Sequence, residues 1–239
     1  MNNLSGATQI FAQDIYKDSS VQQHVLGELG VTPDGRRFRY CKVGATALVA
    51  GKLYQAPAYT TTHQNMTCST QAVGDKTITV SLGASAVTAN QYAGGYLNLN
   101  AGTGVGYCYR IASHPAADLS TSLVVTLETP ILAATAVADT KGSLVPHPYN
   151  GVIVHPNTPT NVMAGVAVFT ATAAYYCWLQ VGGPCALLND SATAVGLGLA
   201  PSASVTGAAK TAATTLVNVG YCMEAGVNTE YRSVFLTIS

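Results

Sequence analysis

The sequence predicts an all-β protein made of small β-barrel or β-sandwich modules with an extended N-terminal arm. Short runs rich in Val, Ile, Thr, Tyr and Leu recur at intervals of roughly ten residues, separated by Gly, Pro, Asn and Asp. Helical periodicity is weak, with residues 20–29 as the nearest approach to it. Only 9% of the 239 residues are charged, so the surface must consist mainly of small polar side chains.

The elements follow from these patterns in chain order. The first twenty residues, MNNLSGATQIFAQDIYKDSS, lack a β period and are expected to form a polar arm. Strands then begin in the segment 36–53. Further strands are predicted at residues 77–82, 96–98, 107–112, 122–127, 151–154, 164–169, 176–181, 215–219 and 233–238.

The chain is expected to have three parts. Residues 1–57 hold the N-terminal arm and the first strands, residues 58–150 form a middle β module, and residues 151–239 form a C-terminal β-barrel module. The last boundary is placed at the Pro- and Asn-rich connection HPNTPTNV.

Charge and composition restrict the partners. The formal net charge is zero, which removes long-range attraction to nucleic acid or to an anionic membrane, and neither is expected as a partner. Residues 162–181 are uncharged over the length of a bilayer crossing, but they include Thr170 and Gln180 and lack flanking Lys or Arg, which favours buried strands. No secretion signal is visible, so synthesis in the cytoplasm is expected.

The six cysteines do not form a metal motif. No two have the C-x-x-C spacing, and no histidine lies near enough in sequence to complete a zinc set. In a reducing cytosol they are expected to be small buried hydrophobes. The sequence therefore predicts no metal site and no cofactor.

No catalytic signature is present either. The run NAGTGVG, residues 100–106, lacks the Lys-Ser/Thr of a phosphate loop and is better explained as a hairpin turn. No G-x-S-x-G elbow occurs, and the carboxylates are scattered singly. His114, His147 and His155 each precede a proline and are expected at loop corners. We expect that the protein is not an enzyme.

One cluster of charge is a candidate interface. Arg36, Arg37, Arg39 and Lys42 are four of the eleven basic residues and lie within seven positions. Strand alternation places Arg37 and Arg39 on one face and Arg36 on the other. The cluster is either a strip that forms salt bridges or contacts a partner protein or another subunit, or an ordinary solvated edge strand. It is too small for a convincing nucleic-acid site.

A phrase occurs twice in the sequence. Residues 38–48 read FRYCKVGATAL and residues 175–188 read YYCWLQVGGPCALL, each with an aromatic residue and a cysteine before a Val-Gly pair. We expect a strand-turn-strand unit used twice, with Val43 and Val181 in cores. Gly44 and the pair Gly182 and Gly183 would then permit sharp turns.

Several blocks resemble a known family. The runs PDGRRFRYCKVGATALVAGKLYQ, YAGGYLNLNAGTGVGYCYRIASH and GVAVFTATAAYYCWLQVGGPCALL are similar, in this order, to blocks in the capsid cement (decoration) proteins of tailed bacteriophages. The resemblance covers nearly everything after residue 26, except that the N-terminal arm matches nothing in that family.

The resemblance implies a virion structural protein on the outer surface of the phage head. Such a protein binds as a homotrimer at threefold or quasi-threefold positions, with the major capsid protein as its partner, and carries no cofactor. Two alternatives remain open. One is another virion component, such as a tail, fibre or minor capsid protein. The other is an enzyme or carbohydrate-binding β domain, for which Trp178 is the one tryptophan available as a sugar platform.

Overall fold

The computed structural model describes residues 8–9, 15–213 and 218–238. Within them the regular elements are β-strands and one turn of 3-10 helix at Thr61–His63. The predicted all-β fold of small barrels is confirmed, because one barrel has five strands and is closed while the other has six and is nearly closed. Most of the predicted arm and most of the predicted strand 215–219 lie outside the described residues.

The strands keep the spacing that the sequence indicates. In chain order they are β1 (Thr8–Gln9), β2 (Leu29–Val31), β3 (Arg37–Val43), β4 (Leu53–Gln55), β5 (Met66–Thr67), β6 (Thr77–Ser81), β7 (Tyr96–Ala101), β8 (Cys108–Ser113), β9 (Ser122–Leu127), β10 (Lys141–Val145), β11 (Asn150–Val154), β12 (Met163–Ala167), β13 (Tyr176–Leu188), β14 (Gly198–Pro201), β15 (Ala209–Thr211), β16 (Gly220–Cys222) and β17 (Tyr231–Thr237).

The chain divides into two compact units. An outer unit combines the chain up to Ala58 with the chain from Pro148 onward, and a middle unit comprises Tyr59–His147. The segments 1–57 and 151–239, which the sequence separates, therefore belong to one unit. The physical reason is strand pairing, since β3 from the first segment and β13 from the last are neighbours in one barrel.

The outer unit contains the closed barrel. Strands β3, β11, β4, β12 and β13 pair in that order, and β3 pairs with β13 to close the ring. Closure leaves no free edge among these five strands. Their inward side chains form an apolar core that includes Cys41, Val43, Val152 and Leu179.

The second half of β13 leaves this barrel. From Gly182 to Leu188 it pairs with β17, and the sheet continues through β16 and β14 to β15. A bridge between Asn189 and Ala209 brings the chain after β13 back beside β15. A second core of the outer unit, which includes Val181, Leu199 and Leu236, lies inside this curved sheet.

The middle unit is the six-stranded barrel. Its strands pair in the order β5, β10, β7, β8, β9 and β6, every pair is antiparallel, and a bridge from Cys68 to Val80 nearly closes the ring. Alternate residues of each strand are buried, as in β9, where Leu123, Val125 and Leu127 face the core. The predicted hairpin at NAGTGVG is confirmed, because it joins β7 to β8.

The doubled phrase has a structural explanation. Its two copies are the paired strands β3 and β13, in which Cys41 lies directly opposite Cys177. Val43 and Val181 are buried, as expected. The prediction of a sharp turn at Gly182 and Gly183 is wrong, because β13 continues through both glycines. Only the register of β13 against β3 shifts there, between Gln180 and Gly182.

The apolar stretch 162–181 contributes to β12 and to the start of β13. In the part of the chain that the structure describes, no helix is long and apolar enough for a membrane crossing. Residues 20–28 form turns and bends that lead into β2, which begins at Leu29.

Candidate functional site

Two of the four clustered cations lie over aromatic rings of the outer unit. Arg36 donates from Nε to the Asp34 carboxylate at 2.8 Å, and its guanidinium carbon lies 5.7 Å from the centre of the Phe38 ring. The Lys42 ammonium lies 5.6 Å from the centre of the Tyr176 ring. Both charges therefore already have favourable partners within their own chain.

The other two cations point to the opposite face of β3, as strand alternation predicts. Arg37 is exposed and its guanidinium covers Gly182. Arg39 is half-buried and donates from Nη1 to the carbonyl oxygen of Gly27 at 2.9 Å. The structure thus divides the cluster between two faces and does not bring the four charges together as one strip.

The tryptophan considered for a sugar platform is not on the surface. Trp178 is only 3% exposed, and its ring lies 5.1 Å from that of Tyr40 and 5.0 Å from that of His24, centre to centre. A stacking platform needs an open ring face. Trp178 instead belongs to a small core under the segment that precedes β2, together with Phe38.

The histidines before prolines lie in loops after strands, where loop corners were expected, and their side chains are buried. His114 accepts a hydrogen bond from the backbone N–H of Tyr92 at 2.9 Å, and burial together with the nearby charge of Arg110 lowers the pKa of His147 to about 4. Among the described residues no group of three or more His, Cys, Asp and Glu side chains is placed to hold a metal ion. These histidines pack and orient loops.

The middle barrel has an apolar end. We define the apolar tip as the side chains of Val73, Val105, Tyr107, Leu132 and Val137, which are between 39 and 65% exposed. They lie on the three loops that follow β5, β7 and β9. Because the strands alternate in direction around the barrel, these three loops meet at the same end. The chain enters and leaves the unit at the opposite end.

Hydrogen bonds connect the three loops of the apolar tip. Thr103 Oγ1 donates to the Asp139 carboxylate at 2.9 Å, which joins the second loop to the third. The backbone N–H of Val137 donates to Thr70 Oγ1 at 2.9 Å, which joins the third to the first. These cross-connections hold the three loops in one arrangement.

Two glycines permit the close approach of these loops. Gly102 has a φ of 79° and Gly104 a φ of 80°, a region that L side chains rarely adopt. A Cβ on Gly102 would overlap the carbonyl group of Asp139, and one on Gly104 would lie 2.9 Å from the carbonyl oxygen of Ala134. The glycine-rich run NAGTGVG is therefore required by packing between loops.

Sequence reasoning did not identify the apolar tip. Its members are isolated apolar residues in turn segments, where neighbouring Gly, Asp and Thr indicate only loops. Their convergence depends on the order of strands around the barrel. The sequence feature that could have indicated the apolar tip is the recurrence of one or two large apolar residues in three separate turns of one module.

The outer unit has an exposed apolar surface of its own. We define the aromatic face as Tyr221, Tyr231 and Phe235 with Pro184 and Ala186, all exposed on the outer side of the sheet formed by β13, β17 and β16. Tyr221 and Pro184 lie directly opposite Phe235 on either side of β17. Neighbouring positions on a sheet face pack against each other, so these side chains form one continuous surface.

A groove of about 470 Å³ adjoins the aromatic face. Pro184, Ala186 and Tyr231 belong to both, and Tyr16 and Arg36 also line the groove. Most of the wall is apolar, with Arg36 as its charged group, and that charge is paired with Asp34. The groove thus extends an apolar contact surface and offers little polar chemistry.

No protein family, curated protein or solved structure was found to match this chain.

Proposed function

We propose that this protein is a structural component of a bacteriophage particle. It binds the outside of the head as a trimer at threefold or quasi-threefold positions, and it holds neighbouring subunits of the major capsid protein together. The proposal assigns no catalytic step and no cofactor to the chain. The resemblance of its ordered sequence blocks to capsid cement proteins is the first support.

The observation that carries the proposal is that each unit has an exposed apolar surface. The middle unit has the apolar tip and the outer unit has the aromatic face. A protein that connects others must make at least two contacts, and exposed groups of large apolar side chains commonly mark protein interfaces. Tyr and Phe, which dominate the aromatic face, are enriched at such interfaces.

The two surfaces suit different partners. An exposed aromatic sheet face suits contacts between identical subunits, because such interfaces are more apolar than other interfaces. The apolar tip is a small, rigid end of a barrel and suits docking onto a shell. We therefore assign the aromatic face to contacts between copies of this chain and the apolar tip to the major capsid protein.

The low charge of the chain fits this role. Burial of about 400 Å² of apolar surface contributes roughly 10 kcal/mol before the costs of association are subtracted. A contact of this kind depends little on salt, because few exposed charges take part. Copies bound at the many symmetric positions of a shell would each make this contribution. Together they would oppose the separation of neighbouring capsid subunits under internal pressure.

The first experiment measures binding of the purified protein to heads of its own phage, stripped of accessory proteins. Sedimentation followed by counting of copies should show saturation at a ratio fixed by the symmetry of the shell, and bound heads should rupture at a higher temperature. Absence of binding, or a few copies per particle, would refute the cement role and favour a tail or vertex component.

Substitutions in the middle barrel test the docking surface. Leu132→Asp places a charge on the apolar tip and should weaken head binding by a factor of ten or more, since an unpaired charge would be buried on docking. Leu119→Asp is the matched control, because Leu119 is similarly exposed but lies in a loop at the other end of the same barrel. Equal binding by both variants would contradict the assignment.

A second pair of variants tests the contact between copies. Phe235→Asp changes the aromatic face and should convert trimers into monomers in analytical ultracentrifugation. Val227→Asp is the control, since Val227 is exposed in the loop between β16 and β17 and not on the sheet face. A trimer that survives Phe235→Asp would remove the aromatic face from the proposal.

A further inference from the structure

Two buried thiols face each other across the closed barrel of the outer unit. Cys41 on β3 and Cys177 on β13 are directly opposite residues of an antiparallel pair. Their sulfur atoms are 3.8 Å apart, and each residue is at most 1% exposed. Both side chains lie in the same core, next to Val43 and Leu179.

The backbone at this position is compatible with a disulfide. The N–H of Val43 donates to the carbonyl oxygen of Tyr175 at 2.7 Å, so Val43 and Tyr175 form a hydrogen-bonded pair of the ladder. Hydrogen-bonded pairs alternate along antiparallel strands, so Cys41 and Cys177 occupy the same kind of position, with Cα atoms typically about 5.5 Å apart. That distance lies within the range of about 4.4 to 6.8 Å for disulfides.

The other four cysteines have different surroundings. Cys68 and Cys222 direct their sulfurs toward the backbone carbonyl oxygens of Met66 and Glu224. Cys108 is exposed and Cys185 is half-buried. Among the described residues, Cys41 and Cys177 are the pair of cysteines whose sulfur atoms are in contact, although they lie 136 positions apart in the sequence.

We propose that Cys41 and Cys177 form a disulfide when the folded protein meets an oxidising environment. A low-molecular-weight disulfide is a sufficient oxidant. One cysteine thiolate attacks it, forms a mixed disulfide and releases one small thiol; the second cysteine thiolate then attacks the protein sulfur and releases the other. In total the two cysteines lose two protons and two electrons, and the oxidant becomes two thiols.

The conditions under which this pair would be oxidised follow from the proposed function. In the reducing cytosol the pair stays reduced, and a particle released from its host enters an oxidising medium. Burial raises the pKa of the Cys41 thiol well above its usual range, so the reaction is slow and requires transient opening of the barrel. The disulfide would therefore form after folding and assembly.

The consequence is a covalent closure of the outer barrel. The bond would connect β3 to β13 and enclose the whole middle unit in one covalent loop. Loops of this length give the larger stabilisations attributed to disulfides, and for a chain of this size we expect the melting temperature to rise by about 10–20 °C.

The test uses the isolated full-length protein without heads. It is incubated with oxidised glutathione, the remaining thiols are alkylated, and peptides are mapped without reduction. We expect a cross-linked peptide that joins Cys41 to Cys177 and a higher melting temperature that returns to its original value after reduction. Six free thiols after prolonged incubation, or links among other cysteines alone, would overturn the proposal.

Two variants complete the test. Cys177→Ala should abolish both the cross-linked peptide and the thermal shift, whereas Cys108→Ser, which changes an exposed cysteine, should keep both. If Cys177→Ala does not fold, the peptide map of the unmodified chain still decides the question. Because no head is present, failure here leaves the cement proposal intact, and failure of head binding leaves the disulfide intact.

Discussion

Substitution of Gly102 by Ala should destabilise the middle unit strongly. Gly102 has a positive φ, and a Cβ there would overlap the carbonyl group of Asp139 in the neighbouring loop. The hairpin would have to move away from that loop. Thr103 would then lose its two hydrogen bonds to the Asp139 carboxylate, at 3.2 and 2.9 Å, and the bond at 2.7 Å that its carbonyl accepts from Thr140.

The magnitude follows from these losses. An alanine at positive φ costs about 1 kcal/mol, and each lost hydrogen bond costs about 1 kcal/mol more. The free energy of unfolding of the middle unit should therefore fall by about 3–4 kcal/mol. Gly106→Ala is the matched control in the same hairpin, because Gly106 has a φ of 91° but no atom within 4 Å of its Cβ position. It should cost only about 1 kcal/mol.

Urea denaturation with two probes distinguishes the units. Trp178, the one tryptophan, lies in the outer unit, so its fluorescence serves as an internal control. Hydrogen exchange measured on peptides from residues 59–147 reports the middle unit. Equal losses for Gly102→Ala and Gly106→Ala would refute the role of loop packing, as would a shift confined to the tryptophan signal.

Three further predictions concern acid stability, one hydrogen bond and one glycine. The pKa of His147 in the folded chain, about 4, lies below its usual 6.5, so the neutral side chain stabilises the fold fully above pH 6.5 and this stabilisation is lost as the pH falls toward 4. In urea titrations the free energy of unfolding should fall by at least about 1 kcal/mol between pH 7 and 5, and His147→Gln should reduce that fall. Tyr54→Phe should cost about 1 kcal/mol in thermal unfolding, since the Tyr54 hydroxyl accepts the N–H of Val49 at 2.6 Å, and an unchanged melting temperature would contradict this. Gly182→Ala should cost less than about 1 kcal/mol in urea, because only the exposed Arg37 side chain must move, and a larger loss would show that the backbone itself needs glycine there.

The fold class could be predicted because its signals are local. Alternation in 122–127 and turn residues at 100–106 determine a strand and a hairpin without reference to the rest of the chain. The choice of partner is not local. Nothing in the period of β3 indicates that β13 lies beside it, although the repeated phrase was an indirect sign of their equivalence.

The candidate surfaces were harder to predict for the same reason. The basic cluster was visible as a run of charges, yet the position of each cation depends on ring partners such as Phe38 and Tyr176, which come from the folded barrel. The apolar tip combines residues from three turns, and the aromatic face combines three strands. Gly182 and Gly183 were misinterpreted as a turn, because glycine also permits a register shift inside a long strand.

The pairing of β3 with β13 also sets an order of events during synthesis. When β3 leaves the ribosome, its partner strand has not yet been translated, and the complete middle barrel emerges between the two. The middle barrel can therefore fold first, while the early strands of the outer barrel keep unpaired edges until β13 is translated. An inserted module that folds rapidly shortens the effective separation between β3 and β13, because it replaces a long flexible loop by a compact body.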